Sequence, residues 1–91
     1  MRVSIHIPTS LRSESGEKAE LSVSAETVSG ALAALRRDYP AVYRSVCDET
    51  GAVRRHIHLF VNSSLVRGPD GLATTLQTGD NLSIMTAVSG G

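Results

Sequence analysis

Alternating apolar and polar residues near the start of the chain place the strongest limit on its fold. The apolar side chains of Val3, Ile5 and Ile7 alternate with polar ones, a period of two that is typical of a strand with one buried face. The same alternation returns over residues 19–24. Residues 9–17 between these segments are polar and include a glycine, so they predict a turn or loop. We therefore expect the two strands to form a hairpin with one apolar face to cover.

A helix that can cover this face follows directly. Thr27 is a favourable N-cap residue, and Pro40 predicts the end of the helix because proline disfavours helical backbone at the residue before it. Between them, apolar residues recur at helical spacing and form one stripe: Val28, Ala31, Leu32, Leu35 and Tyr39. Residues 41–47 are expected to add a short helical turn. This part of the chain therefore predicts one main amphipathic helix.

The second half of the chain returns to strand-like patterns. Residues 54–62 form the most regular segment, with Ile57 on one face and His56, His58 and Phe60 on the other. A short edge strand is expected at 65–67, and a last strand from Leu82 to near Val88. The resulting order predicts an α+β fold, in which one main helix packs across one face of a mixed sheet. We expect residues 1–91 to form a single domain, with the first and last strands parallel at the sheet centre.

Composition excludes several classes of function. The formal net charge is zero, which argues against a general binder of nucleic acid or membrane surfaces. The single cysteine, Cys47, excludes an internal disulfide and a four-thiolate iron–sulfur cluster. It is expected to be a partly buried free thiol. The sequence contains neither a membrane-length apolar run nor a signal-peptide pattern, and we expect a cytoplasmic protein.

The three histidines are candidate metal ligands. His56 and His58 lie two residues apart on the predicted strand, and His6 belongs to the first strand. Two imidazoles do not complete a zinc site, and the sequence nearby offers no third ligand. We therefore expect no bound metal, and the histidines are interpreted as exposed polar side chains.

The last residues of the sequence are the most informative about function. Ser89, Gly90 and Gly91 follow the final strand-like run. Glycine has no Cβ, so an extended glycine pair fits a channel that is too narrow for other residues. Chain ends are mobile unless they are tied down. We expect a flexible tail whose terminal carboxylate another enzyme can reach.

Several segments, taken in order, resemble one known family. They are the opening strand followed by Pro8-Thr9-Ser10, the segment Phe60-Val61-Asn62, the segment Gly71-Leu72-Ala73-Thr74, and the ending Ala87-Val88-Ser89-Gly90-Gly91. Together they resemble the MoaD/ThiS family of sulfur carriers, whose fold is the ubiquitin-like β-grasp. The likeness is greatest to the branch that supplies sulfur for cysteine or siderophore synthesis. The resemblance covers the whole chain.

The resemblance implies a protein co-substrate and not an enzyme. In the family, an adenylyltransferase of the ubiquitin-activating type uses ATP to activate the C-terminal carboxylate. Sulfur then replaces the adenylate, and the thiocarboxylate donates it to a biosynthetic enzyme. On this chain the reacting carboxylate would belong to Gly91, with Gly90 and Ser89 as the tail. No cofactor would be bound, because the partners supply ATP and catalytic groups.

A partner enzyme also needs a surface to recognise. If Ile57 and its apolar neighbours face the helix, Phe60 lies on the open side of the sheet, and Met85 shares that face. An exposed aromatic residue beside a methionine predicts a docking patch. Arg54 and Arg55 are expected to add positive charge nearby.

Three other functions are compatible with the sequence. One alternative is the small subunit of molybdopterin synthase, which would form a stable complex with a larger catalytic subunit. An activated terminus also serves a ubiquitin-like modifier that forms isopeptide bonds to lysines. Finally, a β-grasp domain can act as a non-covalent interaction module with an idle glycine pair.

Overall fold

The computed structural model describes residues 2–86, which form a mixed sheet covered by helices on one face. The strands are β1 (Arg2–His6), β2 (Glu20–Ser24), β3 (Ile57–Val61), β4 (Ser64–Leu65) and β5 (Asn81–Thr86). The helices are α1 (Val28–Asp38), α2 (Pro40–Val46) and the single turn α3 (Gly68–Gly71). A 3-10 helix spans Thr9–Ser15.

The sheet has five strands in the order β2-β1-β5-β3-β4. β1 and β2 form the predicted antiparallel hairpin, with Ile5 opposite Leu21. β5 runs parallel to β1, with Ile5 opposite Leu82, and antiparallel to β3, with Leu59 opposite Ile84. The predicted parallel pair at the sheet centre is therefore present, with the other strands outside it.

The core lies between this sheet and α1 and is almost entirely aliphatic. Most of the predicted helical stripe is buried, since Val28, Ala31 and Leu35 are all 0% exposed, whereas Tyr39 at its end is half-buried. It meets the inward residues of the sheet, which include Val3, Ile5, Leu21, Leu59, Leu82 and Ile84. Burial of each large aliphatic side chain contributes roughly 1.5–3 kcal/mol before the entropy of folding is subtracted. The period-two and helical patterns therefore identified both sides of the core correctly.

Local sequence explains where the helices begin and end. The Thr27 side chain accepts a hydrogen bond from the Gly30 N–H at 3.0 Å and caps α1 as predicted. Tyr39 ends the helix, and Pro40 begins α2. Proline is favourable at this position because the N–H groups of the first turn have no partner within the helix, so its missing N–H breaks no hydrogen bond. The helical turn expected over 41–47 is thus a short second helix, Pro40–Val46.

Two predictions about local structure were wrong. The polar stretch expected to be a turn or loop between β1 and β2 forms the 3-10 helix, which ends at Gly16 with a left-handed φ of 74°. Buried Ser15 stabilises this end by donating hydrogen bonds to the Arg12 and Lys18 carbonyls. The strand predicted over 54–62 begins only at Ile57. Arg54, whose N–H donates to the Val46 carbonyl at 2.9 Å, therefore belongs to the connection after α2.

The turn between β3 and β4 is bonded to the start of β5. Asn62 has a positive φ of 56°, a conformation that asparagine tolerates better than most residues. Its side-chain oxygen accepts from the Asn81 N–H at 3.1 Å, and its side-chain nitrogen donates to Asp80 at 3.2 Å. One side chain thus connects this turn to the start of β5. The predicted edge strand is present but shorter, at Ser64–Leu65.

Candidate functional site

The predicted reacting end of the chain follows the central strand. β5 lies between β1 and β3, and its inward residues Leu82 and Ile84 are both 0% exposed. Thr86, the last described residue of β5, lies opposite Ile57, and its hydroxyl lies 3.4 Å from the Ser10 hydroxyl. The described part of the chain therefore ends in the central strand of the sheet, which has a neighbour on each side.

The residues predicted to carry the chemistry are not among those described. Ser89, Gly90 and Gly91 lie outside residues 2–86, as does Val88, where the last strand was expected to end. Their roles therefore remain predictions.

Phe60 and Met85 share the face of the sheet opposite α1, as predicted. Phe60 lies opposite Ser83 in the register of β3 and β5, and His58 lies opposite Met85, so all four side chains project from the same face. Met85 is 47% exposed, whereas Phe60 is half-buried. The structure thus confirms their shared face, and their role in docking a partner remains a prediction.

Leu65 is a further apolar residue of this face that sequence reasoning missed. It pairs with Phe60 across the β3–β4 hairpin and is half-buried. The available signal was the two-residue turn at Asn62-Ser63, which sets this register. We define the open-face patch as Phe60, Leu65 and Met85, with His58 beside it.

Arg54 and Arg55 lie in the connection between α2 and β3 and are both exposed. The Arg54 side chain donates from Nε to the Arg44 carbonyl at 2.8 Å. Arg54 therefore has a structural contact at the end of α2, in addition to any role in steering a partner. Both arginines line a groove beside β3 that also includes His58.

Cys47 is more deeply buried than predicted. Only 1% of its surface is exposed, at the end of α2. Burial raises the pKa of its thiol above the ordinary value, because the charged thiolate loses solvation, although a contact with Tyr43 opposes the shift. A buried thiol of raised pKa is a poor nucleophile, so Cys47 is best described as a core residue.

The histidines do not form a joint site in the described structure. His58 lies on β3, but His56 precedes the strand, so the predicted placement of both on one strand face was wrong. Across residues 2–86, no group of three or more histidine, cysteine, aspartate or glutamate side chains is arranged to hold a metal ion. Within the same residues, no helix is both long and apolar enough to cross a membrane.

Comparison with known proteins gives the family. The sequence pattern of the ThiS family matches residues 5–91. The chain belongs to this family. It is also 33% identical over 93 aligned positions to the sulfur carrier protein CysO of Mycobacterium tuberculosis and of Mycobacterium bovis, with both chains fully covered. The resemblance found in the sequence is thereby confirmed for the family and for the CysO-like branch.

Solved structures show the same fold. The crystal structure of M. tuberculosis CysO matches with a TM-score of 0.84 at 32% identity, over 94% of this chain and 99% of that one. A chain in the Amycolatopsis orientalis BexX/CysO complex matches with a TM-score of 0.86 at 29% identity, over 98% and 99%. The small archaeal modifier protein SAMP1 of Methanosarcina acetivorans matches with a TM-score of 0.82 at 30% identity, over 99% and 96%. The chain thus has the predicted ubiquitin-like β-grasp fold.

Proposed function

We propose that this protein is a sulfur carrier whose Gly91 carboxylate is activated and converted to a thiocarboxylate. The observation that carries the proposal is the full-length similarity to CysO, together with a family match that extends to residue 91 and includes the glycine pair. A sulfur-accepting biosynthetic enzyme would be its downstream partner. Cysteine or another sulfur metabolite is the proposed destination, and the cytoplasm the proposed location.

The chemistry explains why an ATP-dependent partner is needed. A carboxylate is a poor electrophile, because its negative charge repels nucleophiles and oxide does not leave. The partner transfers AMP from ATP to a Gly91 carboxylate oxygen and releases pyrophosphate. Sulfide then attacks the carbonyl carbon. Alternatively, a persulfide attacks this carbon, and a thiol reduces the resulting acyl disulfide to the thiocarboxylate. AMP leaves with that oxygen, and the carbonyl carbon keeps sulfur in its place.

The described structure supports the role of a substrate that another enzyme handles. β5, the last described strand before the tail, has a neighbouring strand on each side. The open-face patch (Phe60, Leu65 and Met85) lies on the two adjacent strands β3 and β5 and on β4. A partly exposed apolar patch on the folded body suits a partner that must bind the body while it acts on the end of the chain.

The decisive experiment is reconstitution of activation and sulfur transfer. The purified chain is incubated with a ubiquitin-activating-type adenylyltransferase, ATP and sulfide, and its intact mass is measured. We expect a species that is heavier by the difference between sulfur and oxygen, localised to the C-terminal peptide. The variant without Gly91 is the control and should keep its original mass. An unchanged wild-type mass with an adenylyltransferase that modifies M. tuberculosis CysO in parallel would contradict the proposal.

A second experiment tests the docking patch. Replacing Phe60 or Met85 with alanine should raise the apparent KM for the carrier in the adenylation reaction by about tenfold or more, as for a residue at the centre of an interface. Tyr43→Ala is the matched control, because Tyr43 is also a half-buried aromatic but lies on α2. Equal KM values for Phe60→Ala, Met85→Ala and Tyr43→Ala would remove the open face from the interface.

A modifier function is a second candidate, because a SAMP1 chain of Haloferax volcanii and one of M. acetivorans share the fold at 26% and 30% identity. The same adenylated Gly91 would then be attacked by a lysine amine of another protein and form an isopeptide bond. Immunoblots of host lysate should then show higher-mass conjugates that disappear when Gly91 is deleted. A thiocarboxylate detected without such conjugates would support sulfur transfer and exclude the modifier function.

A further inference from the structure

The outer edge of β2 has no neighbouring strand among residues 2–86. β2 is the first strand in the sheet order, at the end of the sheet opposite β4, and it pairs only with β1. The Ile7 N–H donates to the Ala19 carbonyl at 2.8 Å, which fixes the odd-numbered residues of β2 as those that bond to β1. The N–H and C=O groups of Glu20, Ser22 and Ser24 therefore point away from β1, where the described residues offer them no hydrogen-bond partner.

This free edge has a defined length. Before it, the Lys18 carbonyl accepts a hydrogen bond from the Ser15 hydroxyl at 2.8 Å. After it, the Glu26 carbonyl accepts one from the Leu76 N–H at 2.8 Å. The unpaired stretch is therefore Glu20–Ser24 itself, in continuous register with β1 and without a bulge. An exposed strand edge of this kind is a template on which another strand can pair.

Two copies of β2 are complementary to each other. When they pair antiparallel with Ser22 opposite Ser22, Glu20 lies opposite Ser24 and Leu21 lies opposite Val23. Every outward N–H and C=O group of both strands then has a main-chain partner. Leu21 and Val23 form apolar cross-strand pairs on the inward face, and no two carboxylates face each other.

The charges are also compatible with pairing between copies. The formal net charge of the chain is zero, so two copies do not repel each other as a whole. Glu20 is the only charged residue of β2, and in this register it faces the Ser24 hydroxyl of the other copy. The same register brings exposed Lys18 of each copy to the level of exposed Glu26 of the other, and Lys18 forms no salt bridge within the described residues. Opposite charges therefore flank the paired strands at both ends.

We propose that two copies of this chain associate through their β2 edges, in this antiparallel register, and form one continuous sheet across a two-fold axis at Ser22. An interface of this kind uses the same surface on both copies, so it closes with two chains. The open-face patch lies on β3, β4 and β5, at the other side of the sheet, and stays accessible in the pair. Because the paired surface is small, the dimer is weak and depends on concentration. The proposal does not depend on chemistry at Gly91.

Sedimentation and NMR of the 15N-labelled full chain test the association. We expect the average mass to rise from one chain toward two as the concentration increases to about 1 mM, the range suited to a small interface. The amide signals of Ser22 and Ser24 should shift with concentration and exchange more slowly with solvent. The amide of Leu65, at the opposite end of the sheet, should not change. A capped peptide of alternating valine and lysine is the probe for a basic partner strand on the same edge.

Cross-linking tests the register. Ser22→Cys places two thiols opposite each other across the axis, at a Cα separation of about 5.5 Å that a disulfide can bridge. Ser24→Cys is the matched control, because it is exposed on the same edge but its two copies lie roughly 14 Å apart in this register. With oxidised glutathione, Ser22→Cys should form a covalent dimer about tenfold faster or more, because pairing raises the effective concentration of its thiols. Cys47 is buried in both variants and contributes equally.

Charge variants test which residues face each other. Ser24→Lys should strengthen the association and Ser24→Glu should weaken it, each by about two- to tenfold, because residue 24 faces Glu20 twice in every pair. Ser63→Lys is the control for net charge and should have no effect, because Ser63 is exposed in the turn between β3 and β4.

Four outcomes would overturn the proposal. The first is the mass of a single chain at every concentration. The second is a Ser22 amide that is as protected from exchange in the dilute chain as that of Ile84, because the edge would then already be covered. The third is equal cross-linking of Ser22→Cys and Ser24→Cys. The fourth is binding of the valine–lysine peptide to β2 without self-association, which would assign the edge to a basic partner. None of these outcomes bears on adenylation of Gly91, so the two proposals fail separately.

Discussion

The strands of the sheet fall into two groups, one on each side of the boundary between β5 and β3, and these two sides differ in how completely their strands are paired. On one side, β2, β1 and β5 have neighbours along most of their length, and the helix α1 covers their inward face. On the other side, β4 pairs with only two residues of β3, and irregular connections before β3 and after β4 border the groove. The paired side therefore provides stability and anchors the strand that leads to the tail. The less paired side carries Phe60 and Leu65, which stay only half-buried.

The largest expected effect tests the paired side. Ile84→Ala removes a side chain that is 0% exposed at the centre of β5. It should lower the free energy of unfolding by about 2–5 kcal/mol, because it leaves a cavity in the core. Met85→Ala is the control on the same strand and should cost less than about 1 kcal/mol, since Met85 is exposed. Urea denaturation measures both, and similar losses would show that β5 is not anchored as described.

A somewhat smaller effect is expected where α3 meets the edge of the sheet. A Cβ on Gly71 would lie 2.6 Å from Val66 Cγ1 and 3.3 Å from the Val66 carbonyl carbon. Gly71→Ala should therefore destabilise the chain by about 1–3 kcal/mol, as overpacking does. Gly30→Ala is the control, because its nearest contact would be an ordinary 3.4 Å, and it should stabilise α1 by up to about 1 kcal/mol. Equal thermal midpoints for the two variants would contradict the close contact.

The cap of α1 gives a third test of the paired side. Thr27→Ala removes the side-chain oxygen that accepts from the Gly30 N–H and should cost about 1 kcal/mol of unfolding free energy. Thr27→Ser keeps that oxygen and should retain most of the stability. If serine and alanine gave the same midpoint in urea, the cap would not stabilise this helix.

The smallest effect concerns the loop after α2. Hydrogen bonds from Thr50, and a further one from the Ala52 N–H, lower the pKa of the Asp48 carboxyl below its ordinary value of 3.8. A carboxyl whose pKa is lowered by folding stabilises the fold above its unfolded pKa, and this contribution is lost as the pH falls through the folded pKa. Asp48→Ala should therefore melt slightly below wild type at neutral pH, and the gap should close in acid. A gap that does not change with pH would exclude this origin.

How much of the fold was predictable depended on the range of the interactions. The alternation around Ile5, the stripe that includes Leu35 and the cap at Thr27 are local patterns, and each was read correctly. The strand expected from Arg54 begins only at Ile57, because Arg54 donates hydrogen bonds to the Arg44 and Val46 carbonyls of α2 instead. The hydrogen bonds of Ser15 stabilise a 3-10 helix that polar composition alone does not distinguish from a loop.

The residues of the candidate site also fall into those that local sequence patterns predicted and those that depend on contacts between distant segments. Phe60 and Met85 were placed on one face from the period of two alone. Leu65 was missed, because its position depends on a hairpin register set by Asn62. Gly91 was identified from sequence only, and its role awaits the mass measurement.

The sequence by itself determined the fold class, the aliphatic core and the family, because strand alternation, helical spacing and the terminal glycine pair are all local signals. Only the tertiary structure decided the depth of Cys47, the true start of β3 and the groove along its edge. These features depend on which backbone groups find partners in distant segments. Local sequence patterns predict which side chains are buried, but the pairing of backbone hydrogen bonds depends on which distant segments come into contact in the fold.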